Sequence, residues 1–190
     1  MKKVFLLFAL LIFFLGAWGL SASPRHVKLV TIDGAIGPIS ARIIDGAIAS
    51  SVEDSAEALV IELNTPGGLD ESMRLITRKI LNSEVPVIVF VSPAGSRAAS
   101  AGVFITLSAH IAAMTPGTNM GAAHPVAIGG QMDSTMAEKV VNDAAAYIRS
   151  IASKRGRNEK WAEESVRKSV SATEKEALKL KVIDLVVNDL

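Results

Sequence analysis

From Val27 onward the apolar positions follow two rhythms that alternate along the chain. Val27–Ile32, Ala58–Leu63, Pro86–Val91 and Ile111–Met114 are short and largely apolar, and read as strands. Between them, apolar residues fall three and four positions apart, which predicts helices. Pro38 to about Ser51 sets Ile39, Ile43, Ala47 and Ile48 along one face, and Leu69–Leu81 turns Met73, Ile76, Ile80 and Leu81 inward. Further helices are predicted at Ala99–Ser108, from Asp133 to about Lys154, and at Glu159–Lys168. Thr173 with Glu176 forms a capping box for a last helix ending near Leu180, and Val182–Val187 reads as a closing strand. Thr115–Met132, rich in Gly, Pro and small residues, reads as a loop. Strands alternating with helices imply an α/β fold of repeated βα units around a mostly parallel, buried sheet.

The N-terminus departs from this pattern. Lys2 and Lys3 precede an unbroken apolar run from Val4 to Leu20, followed by Ser21-Ala22-Ser23-Pro24. That order of charge, apolar run and small-residue exit describes a signal peptide cleaved after Ser23; the run also reaches the length of an uncleaved membrane anchor. In either case the positive-inside rule leaves Lys2 and Lys3 in the cytoplasm and places the rest of the chain outside it. The expected organisation is thus a leader at residues 1–23 and one domain at 24–190.

Composition removes several function classes. The chain has no cysteine, so it has no disulfide framework, thiol nucleophile or thiolate metal site. Its formal charge is only +1. The run Lys154-Arg155-Gly156-Arg157 is short and sits near Glu159, Glu163 and Glu164, which suits a solvated helix end rather than a nucleic-acid surface. Phosphate-loop, H-E-x-x-H and G-x-S-x-G patterns are absent, and His26, His110 and His124 lack metal-ligand spacing. No cofactor or metal is expected.

The chemistry concentrates in two turns. Ser100 lies in Gly95-Ser96-Arg97-Ala98-Ala99-Ser100-Ala101-Gly102, where a helix opening at the serine aims N–H groups and a positive dipole end at its hydroxyl. Asn64-Thr65-Pro66-Gly67-Gly68 follows the preceding strand, and its glycines allow bare backbone to approach a substrate carbonyl. One turn carries a small nucleophile and the other offers donors for an oxyanion. A serine needs a base. Lys139, flanked by Met136, Ala137, Val140 and Val141, fits if those neighbours desolvate it, since burial disfavours the ammonium; an ordinary solvated helical lysine fits the same spacing. His124 in the loop is a second candidate. His110 reads as a structural residue stabilised by a helix dipole, and Ser100 also suits a helix N-cap; Glu62, at the end of its strand, suits a carboxylate that reaches water or a nearby cation better than a polar partner near the site.

Three strings, Glu62-Leu63-Asn64-Thr65-Pro66-Gly67-Gly68, Ser96-Arg97-Ala98-Ala99-Ser100-Ala101-Gly102 and Thr115-Pro116-Gly117-Thr118-Asn119-Met120-Gly121-Ala122-Ala123, resemble the NfeD-type membrane-bound serine proteases. These have the ClpP/crotonase fold and are related to signal peptide peptidase A. The resemblance runs from Val27 to Leu190. It implies a Ser–Lys dyad with Ser100 as nucleophile and Lys139 as base, and oxyanion donors at the Gly68 and Ala101 N–H groups. It implies an oligomeric endopeptidase that cuts apolar segments of stomatin-like membrane proteins, and a mobile loop at Thr115–Met132. Asn64 stands where the family motif often has Asp, which implies tuned activity. His124 falls near the position of the histidine in ClpP-type triads, so a Ser–His variant stays open. So do a non-proteolytic scaffold for a stomatin-like partner and an acyl-thioester enzyme sharing the oxyanion hole; an exported location disfavours the latter. Longer family members continue into transmembrane helices and a small β-barrel.

Overall fold

The computed structural model describes residues 25–126 and 133–189. The leader expected at 1–23 and the last part of the expected Thr115–Met132 loop lie outside the described residues. Among those described, no helix is long and apolar enough to cross a membrane.

Five strands form a wholly parallel sheet: β1 (Val27–Asp33), β2 (Ala58–Asn64), β3 (Val87–Val91), β5 (Ile111–Met114) and β8 (Leu185–Val186), side by side in that order. Helices α1 (Pro38–Glu53), α2 (Asp70–Leu81), α3 (Ala101–Ser108), α4 (Ser134–Lys154), α5 (Glu159–Arg167) and α6 (Glu174–Lys179) complete the α/β architecture. One face of the sheet, Leu59, Ile61, Leu63, Val87, Val89, Val91, Ala112 and Met114, joins residues of the helices in a single large core. The alternate positions Val60, Phe90 and Ala113 make a small separate cluster that contains no helix residue. The period-two geometry of a strand divides its side chains between these two environments. Val27, Leu29 and Leu185 accordingly stay exposed.

A second sheet of three short strands, β4 (Arg97–Ala99), β6 (Asn119–Gly121) and β7 (Ser171–Thr173), lies outside the reach of hydrophobic periodicity. β4 and β6 pair in parallel, β6 and β7 antiparallel. Segments expected to be loop therefore contain strands, because three residues are too few to show alternation. Conversely, the strand expected at Val182–Val187 contracts to Leu185–Val186, and the helix expected from Ala99 begins at Ala101. The capping box at Thr173 is present as predicted, with Glu176 bonded back to the Thr173 N–H.

Two local expectations are corrected. On α1 the buried stripe is Ser40, Ala41, Ile44, Ile48 and Ser51, whereas Ile39 and Ile43 are exposed. That stripe has the same spacing as the expected one but is turned by one residue, so that small Ser40 and Ala41 meet the core. The basic run at 154–157 is not a solvated helix end throughout. Arg157 is buried and donates to the carbonyls of Leu107 and Ala109, both at 2.8 Å, and to Asp184 at 2.5 Å. Arg155 donates to the Ser108 carbonyl at 2.7 Å. Both cations thus meet the negative end of α3, the helix that begins just after Ser100.

His110 accepts the Val87 N–H on Nδ1 at 3.1 Å, so its structural role rests on a hydrogen bond to β3 rather than on the expected helix dipole. Partial burial, with Arg155 and Arg157 nearby, pushes it below the ordinary histidine range. The unfolded chain then binds a proton more tightly than the folded one, so stability falls as pH drops below about 6.5, the unfolded value. His110→Asn, which keeps an acceptor but does not titrate, is expected to flatten the dependence of Tm on pH between about 7 and 5. Parallel Tm curves for parent and variant would refute this.

Candidate active site

The turn Asn64–Gly68 is sewn onto the strand that leads to Ser100. Thr65 donates its N–H to the Arg97 carbonyl at 2.8 Å and accepts the Ala99 N–H at 3.0 Å. Asn64 accepts the Arg97 N–H at 3.1 Å and donates to Asp33 at 2.9 Å. A neutral amide can do both; an ionised carboxylate could only accept. Asn64 therefore ties the ends of β1 and β2 to β4.

Gly67, at φ +117°, takes a conformation suited to glycine. A Cβ there would stand 2.6 Å from the Ser100 Cβ and 3.2 Å from its Oγ, so the two turns abut at the serine. Gly68 pairs with Ile36 through a parallel bridge: Ile36 donates to the Gly67 carbonyl at 2.8 Å and accepts from Leu69 at 2.9 Å. That pairing leaves the Gly68 N–H on the opposite side. Among the described residues, neither it nor the Ala101 N–H, in the first turn of α3, has a protein acceptor.

Ser100 has φ 52° and ψ −112°, a region that L-residues seldom occupy. It stands at the N-cap position of α3, yet its hydroxyl caps nothing. A simple capping role for this serine is thereby removed. The backbone holds the turn in place instead, with the Ser100 N–H donating to Gly121 at 3.1 Å and the Ser100 carbonyl accepting from Val103 at 3.0 Å.

Ser100, Ala101, Gly68 and Lys139 line one cleft of about 560 Å³. Its apolar walls include Met73, Phe104, Ala123, Val126, Val140 and Ala144. Lys139 is exposed, and Met136 beside it is 49% exposed, so the helix neighbours do not desolvate the amine as expected. His124 does not line the cleft; its Nδ1 lies 2.9 Å from the Val166 carbonyl. Glu62 does not line the cleft and accepts from Ser92 at 2.6 Å and Thr31 at 3.1 Å.

Charged groups at the cleft were not singled out by the sequence: Asp70, Arg74 and Asp143. The Asp70–Arg74 pair is legible as an i, i+4 contact, but its continuation to Asp143 on α4 joins distant segments.

The NfeD1b N-terminal domain model matches residues 26–189. The chain is 39% identical to the membrane-bound protease PH1510 of Pyrococcus horikoshii over 197 aligned positions, covering all of this chain and 43% of that protein. It thus spans less than half the length of that relative. Two structures of the 1510-N membrane-bound stomatin-specific protease superpose with TM-score 0.82 at 39% identity, covering 87% of this chain. One is a serine-to-alanine mutant, covered over 81% of its length. The other is a lysine-to-alanine mutant in complex with a substrate peptide, covered over 77%. ClpP1 of Listeria monocytogenes shares the fold, with TM-score 0.67 at 20% identity over 85% of this chain and 92% of that one.

Proposed function

Because the chain belongs to the NfeD1b N-terminal domain family, we propose that it is a membrane-associated serine endopeptidase acting through Ser100 and Lys139 on apolar segments of a stomatin-like protein. The observation that carries this reading is the uncapped Ser100 hydroxyl on a strained turn, sharing a cleft with a lysine and with two unspent N–H groups.

Ser100 Oγ attacks the scissile carbonyl carbon while Lys139 Nζ, as the neutral amine, takes the hydroxyl proton. The carbonyl oxygen gains negative charge, which the Gly68 and Ala101 N–H groups receive; each such donor contributes about 2.7–4 kcal/mol. The Lys139 ammonium then protonates the departing amine, the peptide C–N bond breaks, and an acyl-serine remains. Lys139 next deprotonates a water whose attack releases the acid and restores Ser100. A substrate strand over Met73, Phe104 and Val140 would shield Lys139, so the base is activated by the substrate it serves.

The same reading makes residues 24–190 the protease domain, delivers it outside the cytoplasm behind the leader, and treats it as a homo-oligomer. A fluorophosphonate probe tests the assignment on the full chain. Labelling is expected to vanish in Lys139→Ala and persist in His124→Ala. The reverse pattern would move the base to His124. A parent chain that is never labelled would overturn the protease reading in favour of a scaffold.

A further inference from the structure

The hydrolytic mechanism leaves the charged side of the cleft unused, and a role for that side in the reaction rests on the protease reading. Lys139 and Asp143 stand one helical turn apart on α4 and line the same cleft. On its own helix, then, Asp143 is the carboxylate that shares both a face and the cleft with Lys139. Arg74, on α2, occupies that carboxylate: it donates through Nη2 to Asp143 and through Nε to Asp70 at 2.7 Å. Its Cζ lies 4.5 Å from the centre of the Tyr147 ring. Tyr147 is held by a hydrogen bond with Thr77 and by stacking on Phe104, ring centres 6.0 Å apart. A planar guanidinium can engage two carboxylates and a ring face together, which an ammonium cannot.

We propose that Arg74 is a positioning residue for the reaction: it keeps Asp143 from pairing with Lys139, leaving the Lys139 amine to Ser100, and it fixes α4 against α2 along the cleft. The surrounding charges single out Asp143. α3 carries no ionisable residue. On α5, Glu163 is taken by Arg149 and Arg167, and Arg167 also donates to Asn142. His124 is turned to Val166, Asp70 is held by Arg74 itself, and Glu138 leaves α4 about 100° away from Lys139.

Neutralising Arg74 removes a cation near Lys139 and frees Asp143, and both changes favour the ammonium. In Arg74→Gln, the acid limb of the pH profile for fluorophosphonate labelling of the full chain is expected to rise by about one pH unit. Below the limb this lowers the rate roughly tenfold, and the profiles converge at high pH. The double variant Arg74→Gln/Asp143→Asn leaves Asp70, on α2, as the one charge of the three and so keeps their parental sum; it is expected to return the limb to its parental position. Superimposed profiles, or a loss equal at every pH that the double variant does not recover, overturn the inference while the labelled parent upholds the protease reading. An unlabelled parent overturns both.

Discussion

Ser100→Ala is expected to abolish labelling and peptide hydrolysis while leaving the fold as stable as before. Removing the nucleophile of a hydroxyl-based protease lowers turnover by about a millionfold, because base and oxyanion donors have nothing left to activate. The Ser100 hydroxyl makes no capping bond, so its loss removes no contact that supports α3. Ser100→Gly separates chemistry from backbone. At φ 52° and ψ −112° a residue with a Cβ carries a strain of about 1–3 kcal/mol, which glycine relieves. Part of that gain is offset by the greater freedom of glycine in the unfolded chain, about 1 kcal/mol. Ser100→Gly should therefore be equally inactive but melt above Ser100→Ala, by about 2–4 °C for each net kcal/mol. Residual hydrolysis in either variant would remove Ser100 from the nucleophile's role, and a glycine variant that melts lower would contradict the strain.

Gly68→Ala should damage stability and activity together. Its Cβ would stand 2.0 Å from the Ile36 carbonyl oxygen and 2.6 Å from the Ile36 nitrogen, both backbone atoms. Rotamer changes cannot relieve that overlap, so the bridge between Gly68 and Ile36 must open. Forced overpacking of this kind costs about 3 kcal/mol, equivalent to roughly 6–12 °C in Tm at this chain length. Opening the bridge also swings the Gly68 N–H, and loss of one oxyanion donor lowers turnover by about 10²–10³-fold. Gly46, inside α1, is the contrast, because a methyl group there would meet nothing within 4 Å; Gly46→Ala should stabilise by about 1 kcal/mol. Parental melting and labelling in Gly68→Ala would refute the steric argument.

The sequence made the main sheet legible because β2 and β3 are apolar on both faces and glycine turns mark where they end. Ser100, Gly68 and Ala101 are legible as candidates because each sits in or beside a turn between a strand and a helix, whereas Lys139 lies inside α4 and only the family resemblance sets it apart from an ordinary helical lysine. The small sheet was not, since its partners lie as far apart as Gly121 and Ser171 and its strands are too short to repeat. The face of α1 was misjudged because serine and alanine can be as buried as isoleucine where backbones approach closely. Arg157 looked like surface because nothing local announces carbonyls fifty residues away. The partnership of Arg74 with Asp143 was hidden for the same reason: the two charges meet only once α2 and α4 are packed.

The pairing of β6 with β7 bears on when the serine turn comes into being. The Ser100 N–H hangs on Gly121, and Gly121 is itself paired with Ser171 on an adjoining strand. Ala122 and Ala123 are likewise tied to Val170 and Ser165. During synthesis, Ser100 leaves the ribosome well before the segment that props up its turn. Contacts so distant along the chain form late in folding. On the protease reading, a nascent chain thus carries its nucleophile unsupported until nearly the whole domain has emerged, and the hydrolytic centre would mature only when the neighbouring fold has already closed.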